Sequence, residues 1–373
     1  MSRNATKDLT TGSPMKLILG FGIPLLFGML FQQFYNMMDT IIVGKFLGVS
    51  ALASVGATGS INFMIIGFCM GVCNGFAIPV AQRFGAKDEH GMRKFVANSV
   101  WLSIIFAVVM AVLVCVFCRQ ILELMNTPED IIDGSYSYIF VIFLGIPATY
   151  MYNLLSGIMR SLGDSKTPLY LLIFSSILNI ILDLLSIIVL KMGVAGAAWA
   201  TVIAQAISGF CCLGVIWKKF PILHVQREEW QPDKLCILNL CNMGIPMGLQ
   251  YSITAIGSVI IQAAVNSLGS VAVASVAAAV KINMFLCCPY DAMGSTMATY
   301  AGQNVGAGKF DRLKQGEKSC TLLGLVYGIV AFIFILLFGK YLALLFVDAS
   351  EAVIISQARL FLLCNSAFYF PLA

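Results

Sequence analysis

An all-α, polytopic membrane protein built as a two-lobe parallel repeat is what the sequence predicts, and three observations predict it. The 373 residues are 59% hydrophobic and 11% charged, with a mean hydropathy of +0.90, whereas soluble domains are roughly 25% charged. Apolar runs of the length that crosses a bilayer, about 20 helical residues, follow one another with short polar breaks. Segments of the first half also return in the second at a nearly constant offset.

Ten spans are expected, at 15–43, 50–80, 94–118, 132–158, 167–190, 194–217, 237–265, 270–301, 320–341 and 352–373. Nothing between them is long enough for a soluble catalytic domain, so an enzyme is not expected. The polar leader Met1 to Pro14 precedes an apolar run too long for the core of a cleavable signal, and the first span is expected to stay attached. Counted over alternate loops, seventeen Lys and Arg fall on the side of the N-terminus. Only Lys45, Arg119, Lys191 and Lys340 fall on the other. Cytoplasmic loops collect basic residues, which orients the chain in the cell (inner or plasma) membrane with its N-terminus in the cytoplasm. The same charges are spread over several loops, which speaks for topology and against a nucleic-acid partner.

The first helix carries the densest chemistry. In FQQFYNMMDTIIVGKFLG, residues 31–48, the side chains of Gln32, Tyr35, Asn36 and Asp39 recur at spacings of three and four and share one helical face. A carboxyl at membrane depth costs roughly 2.5–3.5 kcal/mol on insertion scales and usually marks an ion or proton path. Pro24, which lacks an N–H, is the expected hinge of this helix. The fifth helix repeats the pattern with Ser176, Asn179, Asp183 and Ser186, and the sixth adds Thr201, Gln205 and Ser208. Two carboxyls, a carboxamide and several hydroxyls from three helices suit a hard cation, which wants oxygen ligands, or a proton. A purely structural role is the competing reading, although polar glue between membrane helices is usually Ser, Thr, Asn or Gln.

The repeat is read from Gly22-Ile23-Pro24 returning as Gly244-Ile245-Pro246, and from Gln82 and Gly85-Ala86 returning as Gln303 and Gly306-Ala307, offsets of 221 or 222 residues. Both copies start on the same side of the membrane. That gives a parallel repeat about an axis along the membrane normal, the plan of two transporter lobes around a central cavity. The lobes are placed at 1–221 and 235–373, joined by a cytoplasmic linker at 222–234. Trp217, Phe220, Leu223 and Trp230 would allow an amphipathic surface helix there. Six helices precede the linker and about four follow it, and the chain ends in the apolar run FLLCNSAFYFPLA. The expectation is therefore a fragment lacking two helices.

The second lobe lacks the acidic chemistry: Asp39 falls opposite Ile260 and Ile261, in a helix whose polar face is Gln250, Thr254, Ser258 and Gln262. Lys281 lies at membrane depth and can either snorkel to the surface or attract an anionic group in the cavity. The twelve cysteines sit mostly in apolar spans and read as small hydrophobes. The two histidines, His90 and His224, lie in loops, and no GxxxxGK[ST] pattern is present. No cofactor is expected beyond a coupling proton or sodium ion, and no metal beyond that sodium.

Several stretches in order carry a family likeness: PLLFGMLFQQFYNMMDTIIVGKFLGVSALASVGA, RFGAKDEHGMRK, RSLGDSKTPLY, LNIILD and AGQNVGAGKFDRLKQG. They resemble the multidrug and toxic compound extrusion (MATE) transporters, specifically their prokaryotic, DNA-damage-inducible-like branch. The resemblance implies twelve helices in two six-helix lobes. It also implies a cation site formed by Asp39, Asn179, Asp183 and Thr201 with a main-chain carbonyl near Ala197. The carboxyls that another branch carries in its seventh helix have no match between Gln250 and Ser258.

The expected function is secondary antiport, exporting organic, often cationic or amphipathic compounds in exchange for protons or sodium. Small organic substrates and the bilayer are the expected partners, and the protein is expected to be a monomer. Gln32, Tyr35, Asn36, Phe63, Met64, Tyr138 and Lys281, with Phe31, are the candidates for the substrate surface. A flippase for a lipid-linked saccharide precursor is the closest alternative, although it would need a basic cavity. A non-transporting membrane scaffold is the more distant one.

Overall fold

The computed structural model describes residues 6–345 and 351–369, which are almost entirely helical. Residues 6–13 lead into α1 (Pro14–Leu47), followed by α2 (Val49–Ala57), α3 (Gly59–Gly85), α4 (Glu89–Val116), α5 (Cys118–Leu124), α6 (Ile132–Leu144), α7 (Ile146–Ser161), α8 (Lys166–Leu184) and α9 (Val194–Lys219). After the linker come α10 (Lys234–Asn266), α11 (Ser270–Gly306), α12 (Phe310–Ala343) and α13 (Ala352–Ala367). Eight helices are long and apolar enough to cross a membrane, or nine when α6 and α7 are taken as one bent span, among the described residues. The chain is a multi-pass membrane protein. The end of the last expected span, 370–373, lies outside the described residues.

Local chemistry sets the boundaries. Pro14 occupies the first turn of α1, where a missing N–H costs nothing. Asp88 caps α4 by accepting from Gly91 N at 2.8 Å, and Asp233 caps α10 by accepting from Leu235 N at 2.9 Å. Gly48 and Gly269, one repeat apart, open α2 and α11 with φ of +86° and +93°, a conformation glycine adopts without a Cβ penalty.

Two expected spans are broken. The run 50–80 divides at Thr58, whose hydroxyl and N–H both turn back to Val55 O, at 2.8 and 3.1 Å. Its repeat counterpart Ala279, a strong helix former, lets α11 run on unbroken. The run 132–158 bends by 46° between α6 and α7, because Pro147 cannot donate the next helical hydrogen bond. The linker forms two short 3₁₀ turns, Pro221–Leu223 and Arg227–Trp230, and not one amphipathic helix. Pro221 ends the first option, and the second turn is held in place by Glu229.

That carboxylate is 1% exposed, yet well satisfied. It accepts from Gln226 N at 2.8 Å and from Arg93 Nε at 2.8 and 2.9 Å, and it pairs with His90 Nδ1 at 2.9 Å. Burial alone would raise its pKa. The Gln226 N–H and the neighbouring Arg93 and His90 outweigh that and hold it below the usual glutamate range.

The two repeats meet along helices with bare glycine faces. A Cβ on Gly75 of α3 would stand 2.5 Å from Gly244 Cα of α10, and one on Gly71 would stand 2.5 Å from Met247 O. Close backbone approach of this kind is how membrane helices pack when no water drives them together. The seam continues to Gly67, whose missing side chain admits the Tyr251 ring, and to Ser252 Oγ, which donates to Met64 O at 3.3 Å. Beyond it, α10 exposes Ile253, Ile256, Ile260 and Ile261. The halves are therefore closed at the face holding the N-terminus, and α10 stands uncovered by the first half towards the other.

Residues 7–12 lie across the closed face as a strap. Lys7 N donates to Leu162 O of the first half at 2.8 Å. Leu9, 1% exposed, donates its N–H to Gln303 Oε1 of the second half at 2.9 Å. Lys309 Nζ donates to Thr10 O at 2.9 Å, and Arg312 Nη1 to Gly12 O at 3.0 Å.

Candidate cation-coupling site

Three helices of the first half bring the predicted polar residues together. From α1, Tyr35 and Asp39 point at α8 and α9, one helical turn apart. From α8 come Asn179 and Asp183, 1% and 0% exposed, and from α9 comes Thr201, one turn after the fully buried Ala197. Thr201 Oγ1 is the hub: it accepts from Asn179 Nδ2 at 3.1 Å and lies 3.2 Å from the Tyr35 hydroxyl. The carboxyls of Asp39 and Asp183 approach each other directly.

Immediately after Asp183 the α-helix gives way to a π-helical turn, Leu185–Val189. Ser186 Oγ donates to the Asp183 carbonyl at 3.2 Å there. Such turns insert one residue into a helix and re-aim the side chains before them, and they recur at functional sites.

The arrangement is rich in acceptors and poor in donors. Asp39 Oδ1, Asn179 Oδ1 and both carboxyl oxygens of Asp183 are buried without a hydrogen-bond partner among the described residues. An unpaired buried carboxylate oxygen is costly, and two carboxylates face to face repel. A proton or a metal cation placed between them answers both problems, since carboxyl, carboxamide and hydroxyl oxygens are the ligands a hard cation takes.

Not every predicted residue joins this cluster. Tyr138, expected on the substrate surface, is 6% exposed and packs beside Tyr35, Asp39 and Asp183. The bend after Gly145 carries α6 inward and buries it. Gln205 turns away from Thr201 and accepts from Thr149 Oγ1 on α7 at 2.7 Å. Ser176 donates to its own helix at Leu172 O, 2.9 Å. Asn36, Phe63 and Lys281 are exposed, while Gln32 and Met64 are half-buried. Arg160, which sequence places with the loop charges, instead donates from Nη2 to Asn74 Oδ1 at 3.0 Å. No sequence spacing signals that turn.

A two-lobed helical bundle, closed at one face, with a buried acceptor cluster inside one lobe, defines a membrane transporter. The family model MatE matches residues 24–185 and 246–373, so the chain belongs to the MATE family. It is 31% identical over 350 residues to the "Probable multidrug resistance protein YoeA" of Bacillus subtilis (strain 168), covering 91% of this chain and 75% of that one. To "Probable multidrug resistance protein YpnP" of the same organism it is 29% identical, over 98% and 81%. Among solved structures, "Outward-facing conformation of a multidrug resistance MATE family transporter of the MOP superfamily" superposes with a TM-score of 0.90 at 25% identity, covering 97% of this chain and 80% of that chain.

Proposed function

We propose that the protein is a secondary antiporter of the inner or plasma membrane that exports amphipathic, often cationic, organic compounds in exchange for inward protons or sodium. The observation that carries this reading is the set of four partnerless acceptor oxygens on Asp39, Asn179 and Asp183 in the first lobe. Relatives named as multidrug resistance proteins support the export of drugs.

In this mechanism the halves are open away from the N-terminal, cytoplasmic face. A cation enters between Asp39 and Asp183, with Asn179, Thr201 and a carbonyl near Ala197 completing its shell. It neutralises the pocket, α1 bends at Pro24, and the substrate leaves a surface to which Phe31, Gln32, Asn36, Phe63 and Met64 contribute. The lobes, 1–221 and 235–373, then rock so that the glycine seam and the strap open. Cation and substrate must disfavour each other's binding by equal amounts, typically 1–3 kcal/mol. One chain suffices, because the path lies between its own halves.

The test is ethidium efflux from cells expressing the protein or its Asp39→Asn variant, across pH 6 to 8 and with or without sodium. Efflux that responds to one ion gradient and vanishes in the variant supports the reading and names the ion. Equal efflux by both sinks it.

A further inference from the structure

Arg160 sits in the last turn of α7, next to the closed face. A cationic side chain so placed ordinarily extends to the nearby headgroups. Arg160 does the reverse. Its Nη2 lies 3.8 Å from where a Cβ on Gly157 would stand, so the side chain runs back along its own helix towards the membrane interior. There it donates to Asn74 Oδ1 of α3 at 3.0 Å. Tyr251 of α10, whose ring packs across the seam on Gly67 of α3, stands beside Asn74 with Arg160 and, on α11, Asp291 in its neighbourhood.

Residues from α3, α7 and α10 thus border one half-buried guanidinium at the base of the opening between the halves. Arg160 forms none of the salt bridges found among the described residues. Arginine stays charged at any working pH and presents five donors in a planar fork. A cation held away from water with its fork mostly unspent is matched by an oxyanion that can accept two parallel hydrogen bonds.

We infer that Arg160, with Asn74 and Tyr251, forms an anion subsite at the base of the central opening, which takes the phosphate, carboxylate or sulfonate group of an amphipathic substrate. This rests on reading the opening as the substrate path. It adds a second polarity to that path: acidic inside the first lobe, where the cation couples, and basic at the base, where the substrate's headgroup is held. The aromatic and apolar residues above Arg160 would carry the rest of the molecule.

The experiment is equilibrium binding to the full chain in nanodiscs, without an ion gradient, of riboflavin and of its 5′-phosphate. The two share one fluorescent ring and differ only in the anionic group. The phosphate is expected to bind about tenfold tighter, as one charge-assisted bidentate contact would supply. Arg160→Gln should bring the two ligands to within about twofold, and pyrophosphate should displace the phosphate form but not riboflavin. A guanidinium that merely braced α3 against α7 would, when removed, weaken both flavins alike. Should Arg160→Gln fail to fold, Arg160→Lys decides, since it keeps the charge without the fork and should cut the preference at least about threefold. The inference is overturned by equal binding of the two flavins, by no binding of either, or by a preference that survives these substitutions. Because no gradient is present, failure of ethidium antiport would leave this result standing, and the reverse.

Discussion

Gly85 at the end of α3 sits directly against the Gln303 carbonyl of α11, and its repeat counterpart Gly306 sits against the Gln82 carbonyl of α3. The two contacts are one contact seen twice, because Gln82 and Gln303 also correspond in the repeat. Each helix lends its glycine to the other's backbone, as the pseudo-twofold axis between the halves requires.

Neither glycine can take a side chain in this state. A Gly306→Val variant would drive two methyls into main chain that cannot move aside, where overpacking costs typically 1–3 kcal/mol or more. The halves should still fold, but the closed face should not form. Spin labels at Lys87 and Lys309, which line one recess at that face, are expected to move apart, and efflux to be lost.

The strap gives a second test. Gln303 Nε2 donates to Ser161 O at 2.8 Å while its Oε1 holds Leu9 N. Gln303→Ala leaves a buried donor and a buried acceptor unpaired, each worth about 1–3 kcal/mol of desolvation. Residues 7–12 should detach, and trypsin should cut after Lys7 several times faster than in the parent.

At the coupling site, Thr201→Val removes the atom on which Asn179 and Tyr35 converge while keeping the volume. The two carboxyls remain, so with one oxygen of its shell lost the cation should bind more weakly by at least the roughly 10- to 100-fold that even a supporting partner is worth. Asp183→Asn should abolish gradient-driven efflux outright. Ion-dependent thermal shifts of the purified variants separate these outcomes. Equal shifts in parent and Asp183→Asn would count against the site.

The linker's attachment should depend on pH with a definite sign. The folded-state pKa of Glu229 is depressed, so its contribution is fully present above the unfolded glutamate value and is lost as pH falls through the lower folded one. Trp230, whose carbonyl accepts from Trp101 Nε1 at 3.1 Å and whose ring packs edge-on against Trp101 at 6.4 Å, reports on docking. Its fluorescence should change on acidification in the parent. In Glu229→Gln the linker should be loose throughout, with no such transition.

Much of this molecule was legible because a membrane leaves a chain few choices. Lipid offers backbone groups no hydrogen bonds, so every long apolar run had to be a helix. Within those runs, any polar residues at a spacing of three or four share a face, which singles out Asp39, Asn179 and Asp183 from spacing alone. The glycine and glutamine pairs at a fixed offset likewise announced the duplication.

Tertiary structure decided what identical local signals could not. Thr201 and Gln205 stand on one helical face, yet one joins the cation cluster and the other bonds to α7, because α6 and α7 bend at Gly145 and reach only one of them. Tyr138 reads as a cavity aromatic and is buried beside the carboxyls. Arg160 counts among the loop charges by position and turns inward only because Gly157 leaves its flank bare and Asn74 offers an acceptor. The strap Lys7–Gly12 has no local signal at all, since its partners Gln303, Lys309 and Arg312 lie some 300 residues away. Sequence determines which face of a helix is polar. Which neighbour that face meets depends on crossing angles and close approaches that only the folded bundle sets.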